Sequence, residues 1–438
     1  MAALDAFLGD AYAAARSLAP RTVRVGLTGL ARAGKTAFLT SLAANLLALG
    51  AGRPALPRLA QRLQGRSFRV TLAPSGAGDV PRFDYAAHLA ALAADPPRWP
   101  ARTNAVSLLA LDLSLGRAGV ASALPPRQVR LEVLDYPGEW LLDLPLLRED
   151  YAAWSEAALR RIEGREEAGE FLAFAAGLPA AAPESDELAA AGHRLYREAL
   201  HRLRDGDGLS FLQPGRAGSG GLGGLLARRY ASYVGAVRED LVSPLFGRVD
   251  RLVVLADLLS ALHAGPEAFA DAQAALGAAA GALARRQGWA EWLAPLASLR
   301  LPAPGVGRVA FAATKSDHVG SRQRPNLMSL MRALTRHGAR GGQPTGWFAL
   351  ASVACTEDAT WTLEGRAVSA VRGRVAGKGV VLSYPGEVPP APPGPEFWAH
   401  PFYSLPEFEP KRLPDGGRRG VPQLGLDDLA AFLLADVL

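Results

Sequence analysis

The sequence predicts an α/β protein, a mostly parallel sheet flanked by helices and interrupted by a large helical insertion. Three observations carry that prediction. The apolar alternation of Val23 and Val25 runs through a glycine-rich turn into helical spacing from Ala37 to Leu49. A continuous apolar run, Arg251-Leu-Val-Val-Leu-Ala256, suits a strand buried on both faces, and residues 309–314 and 347–353 repeat the type. Between them, Leu188, Leu195, Ala199 and Leu203, with Tyr196 and Leu200 alongside, share one helical face, and neighbouring segments keep that period. The expected organisation is an N-terminal helix over 1–22, a discontinuous core over 23–145 and 248–438 with a C-terminal extension, and a helical insertion over 146–247.

Composition bounds the classes of function. With 438 residues, 49% of them hydrophobic, the chain can bury a substantial core. A formal charge of +6 comes from 48 basic and 42 acidic residues, a small excess without a basic tract or aromatic-basic interleaving, so no nucleic-acid groove is expected. Attraction of this arginine-rich surface to anionic lipid, as peripheral contact, stays compatible with the charge. Cys355 is the single cysteine, which excludes a disulfide framework and a cysteine metal cluster. The N-terminus lacks a basic region followed by an apolar stretch, and no window of about 18 apolar residues exists, so the expected compartment is the cytoplasm.

Taken in order, residues 1–20 read as an amphipathic helix. Gly29-Leu-Ala-Arg-Ala-Gly34-Lys35-Thr36 then fits G-x-x-x-x-G-K-T between a strand and a helix, a P-loop. Its glycines let successive N–H groups of Gly29, Arg32, Ala33, Gly34, Lys35, Thr36 and Ala37 turn toward phosphate at the helix N-terminus. Lys35 would reach the β- and γ-phosphates, and the Thr36 hydroxyl would hold Mg²⁺. Lysine usage sharpens the reading, because 44 of the 48 basic residues are arginine and two of the four lysines, Lys35 and Lys315, fall in nucleotide motifs. A planar guanidinium is a poor substitute for a point-charge ammonium there.

Gly50-Ala-Gly-Arg-Pro54 ends the helix. A strand at Phe68–Leu72 and a helix from Tyr85 to Ala94 follow in a Pro- and Gly-rich region. Trp99-Pro-Ala-Arg102-Thr103 precedes strands at 106–115 and 129–134, a hairpin turned by Pro125-Pro126. The second strand leads into Asp135-Tyr-Pro-Gly138-Glu139, a D-x-x-G motif: Asp135 would hold Mg²⁺ through water, and the Gly138 N–H would sense the γ-phosphate. Thr103 stands where a switch threonine would cap Mg²⁺, and Arg102, like Arg32, is a candidate charge stabiliser in cis. The glycine-rich stretch 215–224 lacks lysine and a preceding strand, so it reads as a flexible tip.

Beyond the Ala-rich helical region that runs to about Leu299, Thr314-Lys315-Ser316-Asp317 forms the third motif. The stem of Lys315 can cover a purine, and the Asp317 carboxylate can accept from guanine N1–H and N2–H₂, which adenine does not match. The backbone at Val353 and Ala354 is expected to meet the guanine carbonyl. A hairpin from Gly365 to Tyr384, a Pro-rich strap over 385–414 and a helix from Leu426 to Leu438 complete the chain.

Gly26-Leu-Thr-Gly-Leu-Ala-Arg-Ala-Gly-Lys-Thr-Ala-Phe-Leu-Thr-Ser-Leu42 resembles the YcjX-like P-loop proteins of bacteria. So do Leu134-Asp-Tyr-Pro-Gly-Glu-Trp-Leu-Leu-Asp-Leu-Pro-Leu-Leu147, Ala312-Ala-Thr-Lys-Ser-Asp-His-Val319, Phe408 and the tail from Val421 to Leu438. The resemblance implies a P-loop GTPase (Ras-like) core, GTP and GDP as ligands with Mg²⁺, a stress-associated role and intrinsic hydrolysis. It also implies that residues 99–103 belong to switch I. Many small GTPases carry Gln after D-x-x-G; here Glu139 can accept from the hydrolytic water but cannot donate to the phosphoryl oxygen, so slow turnover is expected. The expected activity is a GTPase switch with a protein effector at the switch regions or the helical insertion. The alternatives are a nucleotide-gated scaffold with negligible hydrolysis, and a P-loop ATPase or small-molecule kinase.

Overall fold

The computed structural model describes residues 21–30, 32–73, 80–101, 106–117, 119, 122, 124–136, 146, 149–179, 181–203, 212–236, 249–284, 306–399, 405–413 and 415–438. Of the expected N-terminal helix over 1–22, residues 1–20 lie outside them, and Arg21 and Thr22 instead begin β1. In chain order the core begins with β1 (Arg21–Gly29), α1 (Lys35–Gly50), α2 (Pro57–Leu63), β2 (Phe68–Leu72), α3 (Tyr85–Ala93), β3 (Ser107–Leu115) and β4 (Arg127–Asp135). Helices α4 (Tyr151–Ile162), α5 (Gly169–Gly177), α6 (Asp186–Arg202) and α7 (Gly221–Ala236) intervene. The core resumes with β5 (Arg251–Ala256), α8 (Leu258–Ala264), α9 (Pro266–Ala284), β6 (Arg308–Ala313), α10 (Arg324–Thr335) and β7 (Thr345–Ala349). Then come β8 (Thr356–Leu363), β9 (Arg366–Val375), β10 (Gly379–Ser383), α11 (Pro395–Trp398) and α12 (Leu426–Leu433).

The described strands form a seven-stranded sheet in the order β2-β3-β4-β1-β5-β6-β7. Strands β4, β1, β5, β6 and β7 are parallel, and β2 and β3 extend the sheet antiparallel beyond β4. Alternation of side chains divides the interior into two layers. Val23, Val25, Leu27, Val253, Leu255, Ala310 and Ala312 pack on one face with α1, α2 and α12. Leu252, Val254, Ala256, Val309, Phe311 and Ala313 pack on the other with α8, α9 and α10.

Helices α4 to α7 bury apolar clusters of their own. One gathers Tyr151, Trp154, Leu222 and Tyr230; the other gathers Ile162, Phe171, Tyr196 and Leu200. The helical face expected around Tyr196, Ala199 and Leu200 is therefore an inner face. Arg161 pairs with Asp271, and Arg165 with Glu267 at 2.7 Å, joining α4 and the turn after it to α9.

Four elements depart from expectation, one of them the glycine-rich stretch 215–224, whose last four residues open α7 around the buried Leu222 instead of forming a flexible tip. Strand β7 ends at Ala349, four residues early, because the chain then turns to bridge Leu424: Ala351 and Leu424 exchange backbone hydrogen bonds of 2.9 Å. Helix α12 ends at Leu433, before the last five residues. The hairpin over 365–384 is part of a three-stranded sheet, β10-β9-β8, whose first strand alternates mostly exposed residues and so gives a weak apolar signal.

The C-terminal turn is locked by charge. Asp436 binds Arg251 at 2.8 Å, Arg21 at 2.9 Å and Arg308 at 3.3 Å, and Arg251 also donates to the Leu433 carbonyl. The side chain of Arg251 is 3% exposed. Removing its counter-ion leaves a buried guanidinium uncompensated, so Asp436→Ala is expected to cost about 2 kcal/mol in urea unfolding, discounted because the carboxylate itself is partly solvated. Burial raises the Asp436 pKa, but Arg251, a backbone hydrogen bond and Arg21 outweigh it and hold the value below that of an ordinary aspartate. The clamp's stabilisation is therefore present at neutral pH and is lost as pH falls through that depressed value.

Candidate functional site

The parallel strands end on one edge. Register sets Leu27 beside Asp135, Gly29 beside Leu255, Ala256 beside Ala313 and Ala313 beside Ala349. Backbone bonds continue the alignment past the strand ends: Tyr136 N donates to Leu27 O at 3.0 Å, Leu30 N to Leu255 O at 3.0 Å and Thr314 N to Ala256 O at 2.8 Å. The chain order along the sheet reverses at β1, between β4 and β5. In open α/β sheets this is where ligands bind, outside the carboxyl ends of the strands.

The loop after β1 has the backbone its sequence requires. A Cβ at Gly29 would sit 2.3 Å from the Leu255 carbonyl oxygen, so β1 and β5 can approach only with glycine there. Gly34 has φ 80°, and Arg32 is also left-handed at φ 61°. The loop closes through Ala33 N to Leu30 O at 3.1 Å, and Phe38 N takes up Gly34 O at 2.8 Å to begin α1. Gly34 at the N-cap supplies no side-chain cap, and the first turn holds no acidic residue. The helix N-terminus thus offers its N–H groups and positive dipole end to an anion. Lys35, Thr36 and Ala37 are half-buried at its start, while Ala33 is buried and Arg32 and Gly34 are exposed.

Asp135 closes β4 at 1% exposure. Its carboxylate and the Thr36 hydroxyl are hard oxygen donors, the chemistry Mg²⁺ prefers, and they stand at the ends of elements that flank the loop. Arg102, Thr103, Gly138 and Glu139 lie outside the described residues.

Lys315 and Asp317 follow β6. Lys315 is left-handed at φ 56°, and its Nζ lies 2.5 Å from Oδ2 of Asp257, the residue that follows β5 and caps α8 through Ser260 N at 3.0 Å. Sequence reasoning missed Asp257, although an aspartate directly after a buried strand was its signal. Asp317 is 1% exposed, and its Oδ2 accepts from Cys355 N at 2.8 Å and from the Cys355 thiol at 3.0 Å. Thr356 Oγ1 donates to the Asp317 carbonyl. Val353 and Ala354 are buried in the same turn, where Ala354 N donates to Pro422 O at 2.7 Å. That N–H is committed to the C-terminal tail. Cys355 and His318 were missed as neighbours of Asp317, since a distant loop supplies the first.

These arrangements have counterparts in known proteins. The model of the YcjX-like family, DUF463, matches residues 23–221 and 217–438. The chain is 32% identical to the "Ras-like GTPase YcjX" of Escherichia coli (strain K12), over 95% of this chain and 96% of that protein. It is 30% identical to the "Ras-like GTPase YcjX" of Shewanella oneidensis, over the whole length of both.

Proposed function

The chain belongs to the YcjX-like family, and from that premise we propose that it binds guanine nucleotide and hydrolyses GTP to GDP as a conformational switch with a stress-related role. One observation carries the reading: the loop 29–36, Asp135 and the segment 314–317 follow the carboxyl ends of β1, β4 and β6 on one sheet edge, beside the reversal of strand order. The names of the two relatives support the same class of ligand.

In this mechanism the N–H groups of Gly29 to Ala37 and the ammonium of Lys35 bind the phosphates, with Arg32 at the loop's tip. Thr36, Thr103 and Asp135 would hold Mg²⁺, which neutralises phosphate charge when bound. Thr314 buttresses the base loop, Lys315 covers the purine, Asp317 accepts its N–H donors, and Val353, next to the committed Ala354, meets the carbonyl. Gly138 senses the γ-phosphate, Glu139 orients water and Arg102 offers positive charge. The helical region 146–247 and the switches present surface to an effector.

Competition binding tests the base assignment: GTP and GDP are expected to displace a labelled guanine nucleotide at least about a hundredfold better than ATP. Equal displacement would favour a P-loop ATPase. Purified protein with Mg²⁺ is expected to turn over GTP more slowly than about once per second, and chelation of Mg²⁺ to abolish release of phosphate. No phosphate in a single turnover would favour the nucleotide-gated scaffold.

A further inference from the structure

Asp317, His318 and Cys355 form a cluster that the guanine site uses only through its carboxylate. Their exposures are 1, 7 and 3%. Cys355 Sγ lies 3.0 Å from Asp317 Oδ2 and 3.8 Å from His318 Nε2, and one donor atom from each residue lies within 4.8 Å of the others. An S–H···O hydrogen bond accounts for the first contact. It does not account for the imidazole. His318 Nδ1 is buried with no hydrogen-bond partner, while Nε2 faces the sulfur and the ring stands edge-on to Phe408 at 5.0 Å. Nε2 is therefore the ring nitrogen that a metal beside the sulfur would take up.

Thiolate, imidazole and carboxylate together are a donor set for zinc, and tetrahedral zinc spaces such donors about 3.3–3.8 Å apart. The sulfur–nitrogen separation already falls in that range, and the sulfur–oxygen separation must open by about half an ångström. We propose that Asp317, His318 and Cys355 bind a Zn²⁺-class divalent ion, with the fourth position open. The step replaces the Cys355 S–H bond with a sulfur–metal bond and releases the proton to water.

Packing preorganises the cluster. Cys355 N and Thr356 Oγ1 hold both ends of Asp317, and Val371 and Phe408 wall the sulfur with apolar surface. Burial lowers the His318 pKa despite Asp317, keeping the ring in the neutral form that ligates metal. Burial, then Asp317, raises that of the Cys355 thiol, which must lose its proton on binding and so moderates the affinity.

A regulatory consequence rests on reading Asp317 as the guanine acceptor. A metal ion on Oδ2 withdraws charge from the carboxylate that accepts guanine N1–H and N2–H₂, so zinc and GTP oppose each other's binding. Titration of the nucleotide-free full chain with Co²⁺ is expected to produce a thiolate-to-cobalt charge-transfer band and tetrahedral visible bands, saturating at one ion per chain. Cys355→Ser removes the charge-transfer band, and His318→Gln weakens the Co²⁺ affinity. Zn²⁺ at ten times its dissociation constant is expected to raise the apparent Kd for GTP about tenfold in the wild type and to leave that of Cys355→Ser unchanged. Absence of the charge-transfer band in the wild type overturns the metal site whatever the variants do. A band with GTP affinity indifferent to Zn²⁺ overturns the competition. A wild type that binds Co²⁺ in this way but takes no guanine nucleotide without metal upholds the site and sinks the guanine reading instead.

Discussion

Lys35→Ala is expected to slow single-turnover GTP hydrolysis by a factor of about 10²–10³ and to weaken triphosphate binding. The residue opens α1 directly after the left-handed Gly34, and on the proposed reading its ammonium would meet the anion held at the helix N-terminus. Loss of the side chain removes charge that grows in importance as negative charge shifts between phosphoryl oxygens. Lys35→Arg is not expected to restore the rate, because a planar guanidinium cannot enter a cradle shaped for a point charge. Lys35 is half-buried at a helix start, so far-ultraviolet circular dichroism should stay that of the wild type. A rate within about threefold of wild type would remove Lys35 from the phosphate site.

Asp317→Asn is expected to lower GTP affinity about a thousandfold and to confer binding of xanthosine triphosphate, read by competition with labelled nucleotide. The change is well suited to this loop. Asp317 Oδ2 already accepts from Cys355 N, and an asparagine carbonyl oxygen can keep that bond. Its amide N–H₂ is then left to face the base, where it repels guanine N1–H and donates to the C2 carbonyl of xanthine. Unchanged GTP binding would end the assignment of Asp317 to the base.

Much of the sheet was legible in advance. The runs at 68–72 and 251–256 coincide with β2 and β5, and the helix from Tyr85 falls within one residue of α3. These segments announce themselves through local periodicity or through apolar runs that only burial on both faces explains. Strand β8 was illegible for the opposite reason, since most of its side chains face water. Asp427 was equally silent. From α12 it accepts Arg58 N at 2.6 Å and Leu59 N at 3.0 Å, capping α2 from the far end of the chain.

By itself the sequence determined most of the strand and helix pattern, the glycine-rich turn from β1 into α1, and the identity of the acidic and basic residues that close β4 and follow β6. Local backbone geometry and short spacings specify those features, so a linear reading reaches them. Tertiary structure alone decided that Lys315 meets Asp257, that Cys355 reaches Asp317 and His318, that Pro422 takes the Ala354 N–H, and that three arginines converge on Asp436. Each of these pairings joins different elements, and it exists because parallel register and close packing bring strand ends and loops within hydrogen-bonding reach.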